Sequence, residues 1–237
     1  MIVGFKCIKG EMLFKDCPCA EPCKPLAYLN LLKREVSKGH ASISITSCLS
    51  CLFKSYILTK LDFFIPLEAA HSASFRGSLV HGALSDYRHN GDLREETFVV
   101  DGISGTPDYY DAHLRKLFDW KTCKGIYPEK LPYSNHRDQV LAYAYMLEQN
   151  KYPVEQIEIF YISFTSTCAC KIKFEKQDIV NTWTKLKERA KLLSKAINGA
   201  TVQQARELIE PSVLCNGQAQ GGKIYCWCKK ECDRARL

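Results

Sequence analysis

The chain has 237 residues, 46% of them hydrophobic and 25% charged, a composition typical of a soluble globular protein with one large domain or a domain and a small appendage. The first ten residues lack a basic segment followed by an apolar run, and no stretch is long enough to cross a bilayer. We therefore expect a cytoplasmic protein rather than a secreted or membrane protein. The formal net charge of +7 favours an anionic partner such as nucleic acid.

The predicted elements alternate between helices and strands along the chain. They are, in order, a helix over 42–61, a helix over 75–87, strands at 97–100 and 117–120, a helix over 136–149, a strand from residue 157 paired in a hairpin with 170–174, and a helix over 177–198. This order indicates a mixed α/β domain over residues 41–237, preceded by a cysteine-rich module over residues 1–40.

Thirteen cysteines are the most unusual feature of the composition. In a reducing compartment they do not form a disulfide framework, so the clustered cysteines are better explained as metal ligands. Cys168 and Cys170 alternate with other residues in a strand-like segment, and we interpret them as ordinary buried apolar residues.

Two acidic residues and a lysine form the central chemical motif. Asp108 ends the segment Gly-Thr-Pro-Asp, and Asp119, Trp120 and Lys121 follow in the next predicted strand. Carboxylates at the ends of neighbouring strands can share a divalent cation, and the Trp120 carbonyl can add a ligand. Lys121 lies on the same face of the strand as Asp119 because side chains alternate with period 2. Such a cation would polarise a phosphate and activate water, which Lys121 would orient or deprotonate.

Two helical motifs flank this centre. Upstream, Arg76 and Gly77 precede His81; downstream, Gln139 and Tyr143 are four residues apart and share one helical face. A purely structural role remains open for both motifs, because His81 and Tyr143 are also compatible with packing in the hydrophobic core.

In chain order, the four motifs are Arg76-Gly77 with His81, Gly105 with Asp108, Asp119 with Lys121, and Gln139 with Tyr143. Together they resemble the motifs of the RecB-type nucleases, a branch of the PD-(D/E)XK superfamily. The resemblance covers roughly residues 42–237. It implies a restriction-endonuclease-like core, with a mixed central sheet flanked by helices. It further implies that His81, Asp108 and Asp119 bind Mg²⁺ or Mn²⁺, that Lys121 is catalytic, and that Gln139 and Tyr143 orient the DNA end.

The resemblance extends to RecB-type nucleases of CRISPR adaptation, which hold a [4Fe–4S] cluster between cysteines before and after the nuclease core. The implied ligands are Cys51, Cys215, Cys226 and Cys232. Cys228 is an alternative to Cys215, because Lys223 stands where the family usually has a cysteine. Cys48 is an alternative to Cys51. Such a cluster would join the N- and C-terminal parts of the chain.

A second cysteine set lies at the N-terminus. Its members, spaced almost like the cysteines of the C-terminal segment, are Cys7, Cys17, Cys19 and Cys23. We interpret them as a zinc site. In the rival interpretation both sets are local four-cysteine zinc sites, and Cys48 and Cys51 bind no metal.

These features predict a Mg²⁺- or Mn²⁺-dependent deoxyribonuclease, acting as an exonuclease on single-stranded or frayed DNA ends. Recombination, phage replication and CRISPR adaptation are the settings in which it would meet protein partners. One alternative is a catalytically inactive nucleic-acid-binding or assembly module with structural metal sites. Another is a structural protein that holds zinc alone.

Overall fold

The structure is a computed structural model that describes residues 2–7, 10–16, 24, 28–30, 32, 43–66, 80, 82, 91–123 and 125–209. The chain divides into two compact units. The first comprises residues 1–41, 50–78 and 192–237, and the second comprises residues 42–49 and 79–191. The predicted domain boundary at residue 40 stays a prediction.

The strands are β1 (Ile2–Cys7), β2 (Gly10–Leu13), β3 (Phe63–Pro66), β4 (Leu93–Arg94), β5 (Phe98–Val100), β6 (Ile103–Gly105), β7 (Tyr109–Asp111), β8 (Lys116–Thr122), β9 (Gln156–Ile162) and β10 (Thr167–Lys171). The α-helices are α1 (Ile45–Leu49), α2 (Leu52–Lys60), α3 (Ser134–Gln149), α4 (Lys176–Gly199) and α5 (Val202–Leu208), and a 3₁₀ helix covers Pro128–Lys130.

The first unit contains a small three-stranded sheet in the order β2–β1–β3. Strand β1 pairs antiparallel with β2 and parallel with β3. In the same unit, the Tyr56 hydroxyl of α2 donates a hydrogen bond of 3.0 Å to the carbonyl of Ala200, just before α5. A capping box between Thr201 and Gln204 starts α5, satisfying amide groups that a helix end otherwise leaves without partners.

The second unit is built on a five-stranded mixed sheet in the order β10–β9–β8–β7–β4. Strands β8 and β9 are parallel and are connected through α3, whereas the other neighbouring strands are antiparallel. A parallel pair needs a crossover connection, and α3 supplies it. The predicted mixed α/β class, with a mixed central sheet and flanking helices, is confirmed.

The hydrophobic core of the second unit explains the arrangement of its helices. Strands β8 and β9 send alternate side chains, such as Leu117 and Ile159, to one face, where residues of α3 and α4 cover them. Tyr145 of α3 stacks on Trp183 of α4 with 4.6 Å between ring centroids. The core therefore holds α3 against the face of the sheet that carries the Asp-x-Lys motif.

Most predicted elements in the described residues are confirmed, with shifted ends. Helices α3 and α4 differ from the predicted ranges by at most two residues at either end. Strand β9 pairs with β10 as a hairpin, although β10 begins three residues earlier than predicted. Cys168 and Cys170 are half-buried against the core rather than fully buried.

The predicted single helix over residues 42–61 is wrong. Helix α1 ends at Leu49, and Cys51 has φ −61° and ψ 116°, an extended conformation, before α2 begins. The Ser50 hydroxyl lies 3.1 Å from the Ser55 hydroxyl across this break. Short polar side chains such as serine offer local hydrogen bonds that compete with a continuous helix. The helix predicted over 75–87 lies outside the described residues except for positions 80 and 82.

Candidate active site

Strands β7 and β8 bring the two aspartates together. Tyr109 pairs with Phe118 in the antiparallel register, so Asp108, one residue earlier, lies beside Asp119. The backbone N–H of Trp120 donates a hydrogen bond of 2.7 Å to Oδ2 of Asp108. The two carboxylates therefore lie side by side at neighbouring strands, as predicted.

The Asp-x-Lys motif forms a direct ion pair. Lys121 Nζ lies 2.6 Å from Asp119 Oδ2, as expected for residues two apart on one face of a strand. Asp119 is completely buried, whereas Lys121 retains a partly exposed side chain. Lys121 thus lies between a buried carboxylate and the surface.

Helix α3 places two polar side chains over the carboxylates. Gln139 Nε2 donates a hydrogen bond of 2.8 Å to the Tyr143 hydroxyl, confirming that they share one helical face. Gly105, in β6, allows α3 to approach, because a Cβ there would lie 2.6 Å from Met146 Sδ and 3.2 Å from Tyr143 Cε1. The glycine of the Gly-Thr-Pro-Asp segment therefore has a packing role in the site.

Both carboxylates affect the ionisation of Tyr143. Burial, together with the negative charges of Asp119 and Asp108, raises the pKa of the Tyr143 phenol. The phenol consequently keeps its proton at neutral pH and is available as a hydrogen-bond donor. Tyr143 is a residue of the hydrophobic core, and its predicted role in orienting the DNA end stays a prediction.

A second polar group lies next to Lys121, and the sequence interpretation missed it. The Tyr161 hydroxyl lies 3.0 Å from His136 Nδ1 and 3.4 Å from the backbone nitrogen of Tyr133. Tyr161 is the register partner of Lys121 in the parallel β8–β9 pair. Two local signals point to these residues: His136 is three positions before Gln139 on the face of α3, and Tyr161 alternates with Ile159 in β9.

The chemistry of the donor set fits a hard divalent cation. Asp108 and Asp119 supply carboxylate oxygens, the ligands that Mg²⁺ and Mn²⁺ prefer, and the Trp120 carbonyl lies in the same strand as Asp119. In the described part of the chain no group of three or more His, Cys, Asp and Glu side chains is clustered for metal binding. A third protein side-chain ligand was predicted at His81, which lies outside the described residues.

The predicted cysteine ligands fall almost entirely outside the described residues. This holds for Cys17, Cys19, Cys23, Cys215, Cys226, Cys228 and Cys232, and of Cys7 only the backbone of β1 is described. Cys48 is completely buried in the core of the second unit, and burial raises the pKa of its thiol to about 11. Cys51 is half-buried at the start of α2. Of these two alternatives, Cys51 is the more accessible to a metal.

No protein-family model matches the chain, and no curated protein matches it. A solved structure titled "Crystal structure of SSO0001" is similar, with a TM-score of 0.45 and 18% identity over 69% of this chain and 86% of that chain. Within the described residues, no helix has the length and hydropathy needed to span a membrane. The class defined so far is a mixed α/β protein in which a buried aspartate, a half-buried aspartate and a lysine lie together at the end of the central parallel strand pair.

Proposed function

We propose that the protein is a divalent-cation-dependent nuclease of the RecB type in the PD-(D/E)XK superfamily, similar to the iron–sulfur exonucleases of CRISPR adaptation. It would hydrolyse phosphodiester bonds at single-stranded or frayed DNA ends. The observation that carries this proposal is the convergence of Asp108, Asp119 and Lys121 beneath α3, with the Lys121 ammonium 2.6 Å from the buried carboxylate.

Asp108 and Asp119 would hold Mg²⁺ or Mn²⁺ together with the carbonyl of Trp120 and with His81. The cation would lower the pKa of a bound water and polarise the scissile phosphate.

Lys121 would orient the attacking water and stabilise the charge that develops on the phosphate. Its side chain is the only positive one among the described ion pairs that reaches Asp119, and it remains partly exposed to substrate. Gln139 and Tyr143 would orient the DNA end from α3. Because the phenol of Tyr143 stays protonated, it acts there as a donor rather than as a base.

The cofactor proposal keeps the assignments made from the resemblance. A [4Fe–4S] cluster would be held by Cys51, Cys215, Cys226 and Cys232, and zinc by Cys7, Cys17, Cys19 and Cys23. DNA would be the main partner, a cytoplasmic location is proposed, and recombination, replication or CRISPR-adaptation proteins are the proposed protein partners.

Two matched lysine variants test the enzyme function. Lys121 and Lys116 lie on the same strand and each contacts a carboxylate, but on opposite faces of the sheet. Lys121→Met should lower cleavage of end-labelled single-stranded DNA with Mn²⁺ by roughly 1,000-fold or more, because it removes a group that acts in the transition state. Lys116→Met should leave cleavage within roughly threefold of the wild-type rate, because Lys116 is remote from the reacting atoms.

Binding measured in Ca²⁺ distinguishes the enzyme from an inactive binding module. The nuclease predicts that Lys121→Met and Asp119→Asn still bind single-stranded DNA although they no longer cleave it. Equal cleavage by wild type and Lys121→Met would refute the assignment of the site. A wild-type protein that binds DNA without cleaving it, and with the same affinity in Mn²⁺ and in EDTA, would support the assembly module instead.

A further inference from the structure

Helix α3 connects the parallel strands β8 and β9 and runs antiparallel to them, so the start of α3 lies near the end of β8. His136, Gln139 and Tyr143 are spaced by three and four residues, so they project from one face of the helix. His136 Nδ1 lies 3.0 Å from the hydroxyl of Tyr161, and Tyr161 is the register partner of Lys121 in the parallel β8–β9 pair. His136 therefore lies at the Lys121 end of the site.

The phenol of Tyr161 defines which ring nitrogen of His136 carries a proton. The backbone N–H of Tyr133 donates to this phenol oxygen at 3.4 Å, and His136 Nδ1 lies 3.0 Å from it. Tyr161 is buried in β9, and burial raises the pKa of its phenol, which stays protonated. The phenol therefore donates its proton to Nδ1. The opposite tautomer would place two N–H donors on one oxygen and leave the phenol proton without an acceptor in the described contacts.

His136 is a neutral residue in this environment. Burial, together with the positive charge of Lys121, lowers the pKa of its imidazole to about 4. A neutral imidazole that accepts at Nδ1 carries its proton at Nε2. The remaining nitrogen is thus an N–H donor on the face of the sheet that carries the Lys121 ammonium. An N–H donor and an ammonium group on one face favour an anion over a cation.

We propose that His136 is a phosphate-binding residue of this site, whose neutral Nε2–H donates a hydrogen bond to a non-bridging oxygen of a nucleic-acid phosphate held beside Lys121. Tyr161 is its positioning residue, because the Tyr161 hydroxyl holds the ring in the Nε2–H tautomer. The assignment rests on the proposed nuclease function for the identity of the phosphate. His136 is neither a metal ligand nor a general base here, since its free nitrogen bears a proton and its neighbour is a cation.

The first test is nuclear magnetic resonance of the full-length protein labelled with ¹⁵N-histidine, in Ca²⁺ to prevent cleavage. The His136 resonance is assigned with His136→Gln. We expect the Nε2–H tautomer between pH 6 and 8, and a change in the Nε2 resonance when a short 5′-phosphorylated single-stranded thymidine oligonucleotide is added. His113, exposed on the turn before β8, is the internal control and should not move.

The second test is the cleavage rate of matched variants. His136→Ala should lower kcat/KM by roughly 10- to 100-fold, the effect of losing one hydrogen bond to a charged group. His136→Gln keeps an N–H donor of similar reach and should retain most of the rate. Tyr161→Phe should give an intermediate loss and a mixture of His136 tautomers. His113→Gln should cleave like the wild type.

The two proposals fail in different ways. If the wild type does not cleave DNA but the oligonucleotide shifts His136 and not His113, the phosphate site stands and the nuclease proposal falls. If the wild type cleaves and its His136 resonance does not respond to the oligonucleotide, or shows the Nδ1–H tautomer, the role of His136 is refuted. Full activity of His136→Ala in a cleaving protein refutes it as well.

Discussion

Each face of the β8–β9 strand pair carries one lysine–carboxylate ion pair. On one face the pair lies within a single strand, and on the other it joins two strands. On the face covered by α3, Lys121 pairs with the buried Asp119 two residues away in its own strand. On the other face, Lys116 pairs with Glu158 of the neighbouring strand at 2.9 Å. That second face is otherwise a half-buried aromatic row in which Phe118 stacks on Trp120 and Trp120 contacts Phe160 edge-on.

The two ion pairs differ in what they join and in how deeply the acid is buried. Lys116 and Glu158 join two strands, and the Lys116 ammonium also lies 4.3 Å from the centroid of Phe118. Asp119 and Lys121 belong to one strand, so their pairing connects nothing that the backbone does not already connect. Burying a charge costs stability. The burial of Asp119 beside a lysine of its own strand is consistent with the catalytic role proposed for this pair.

The largest expected effect comes from breaking the Asp119 pair on its lysine side. Lys121→Met leaves the buried carboxylate without its ammonium partner and should lower the free energy of unfolding by about 3–5 kcal/mol, measured by urea denaturation in EDTA. Asp119→Asn/Lys121→Met should recover much of this loss, because the buried charge is removed. Mn²⁺ should stabilise Lys121→Met more than the double variant.

The control for this cycle is the pair on the aromatic face. Lys116→Met, Glu158→Gln and their double variant should show a coupling energy of about 1 kcal/mol, since both side chains remain slightly exposed to solvent. If Asp119 and Lys121 give an equally small coupling energy, the distinction between the two faces does not hold.

On the face covered by α3, the free energy of unfolding should depend on pH through His136. The imidazole of His136 has a pKa of about 4 in the folded protein, against an ordinary value of 6.5. Between these values the unfolded chain binds more protons, so the stability that depends on neutral His136 is complete above about pH 6.5 and is lost as the pH falls towards 4. Relative to His136→Gln, the wild type should lose an additional ~1–3 kcal/mol between pH 7 and 4.5.

Chemical denaturation at several pH values measures this slope. Carboxylates also titrate over this range, so the informative quantity is the difference between wild type and variant. His113→Gln should lose stability in parallel with the wild type, because His113 is exposed. Parallel curves for wild type and His136→Gln would contradict a neutral, partly buried histidine.

The sequence predicts those parts of the molecule in which one periodicity persists over a long segment. Helix α3, with its Gln139–Tyr143 face, and strand β8, with its Asp119–Lys121 face, are of this kind. The sheet of β1 and β3 was missed, because it pairs residues at opposite ends of a long segment and has no local signal. His136 and Tyr161 do lie on faces that the local periodicity shows, but their hydrogen bond joins positions 25 residues apart. That contact is set by the packing of α3 on the sheet.

The smallest effect is expected at the edges of the sheet. Phe164, in the turn after β9, is 80% exposed and lies at the carboxyl edge, the edge nearer Lys121; Leu114, in the turn before β8, is 49% exposed and lies at the opposite edge. An exposed aromatic ring beside a phosphate site can stack on an unpaired base, which is worth about 1–3 kcal/mol when stacking is complete. Phe164→Ala should weaken binding of single-stranded DNA in Ca²⁺ by roughly fivefold, the lower end of that range, because one side of so exposed a ring remains in water. Leu114→Ala should leave binding unchanged, so equal losses from the two variants would mean that the carboxyl edge has no special part in binding.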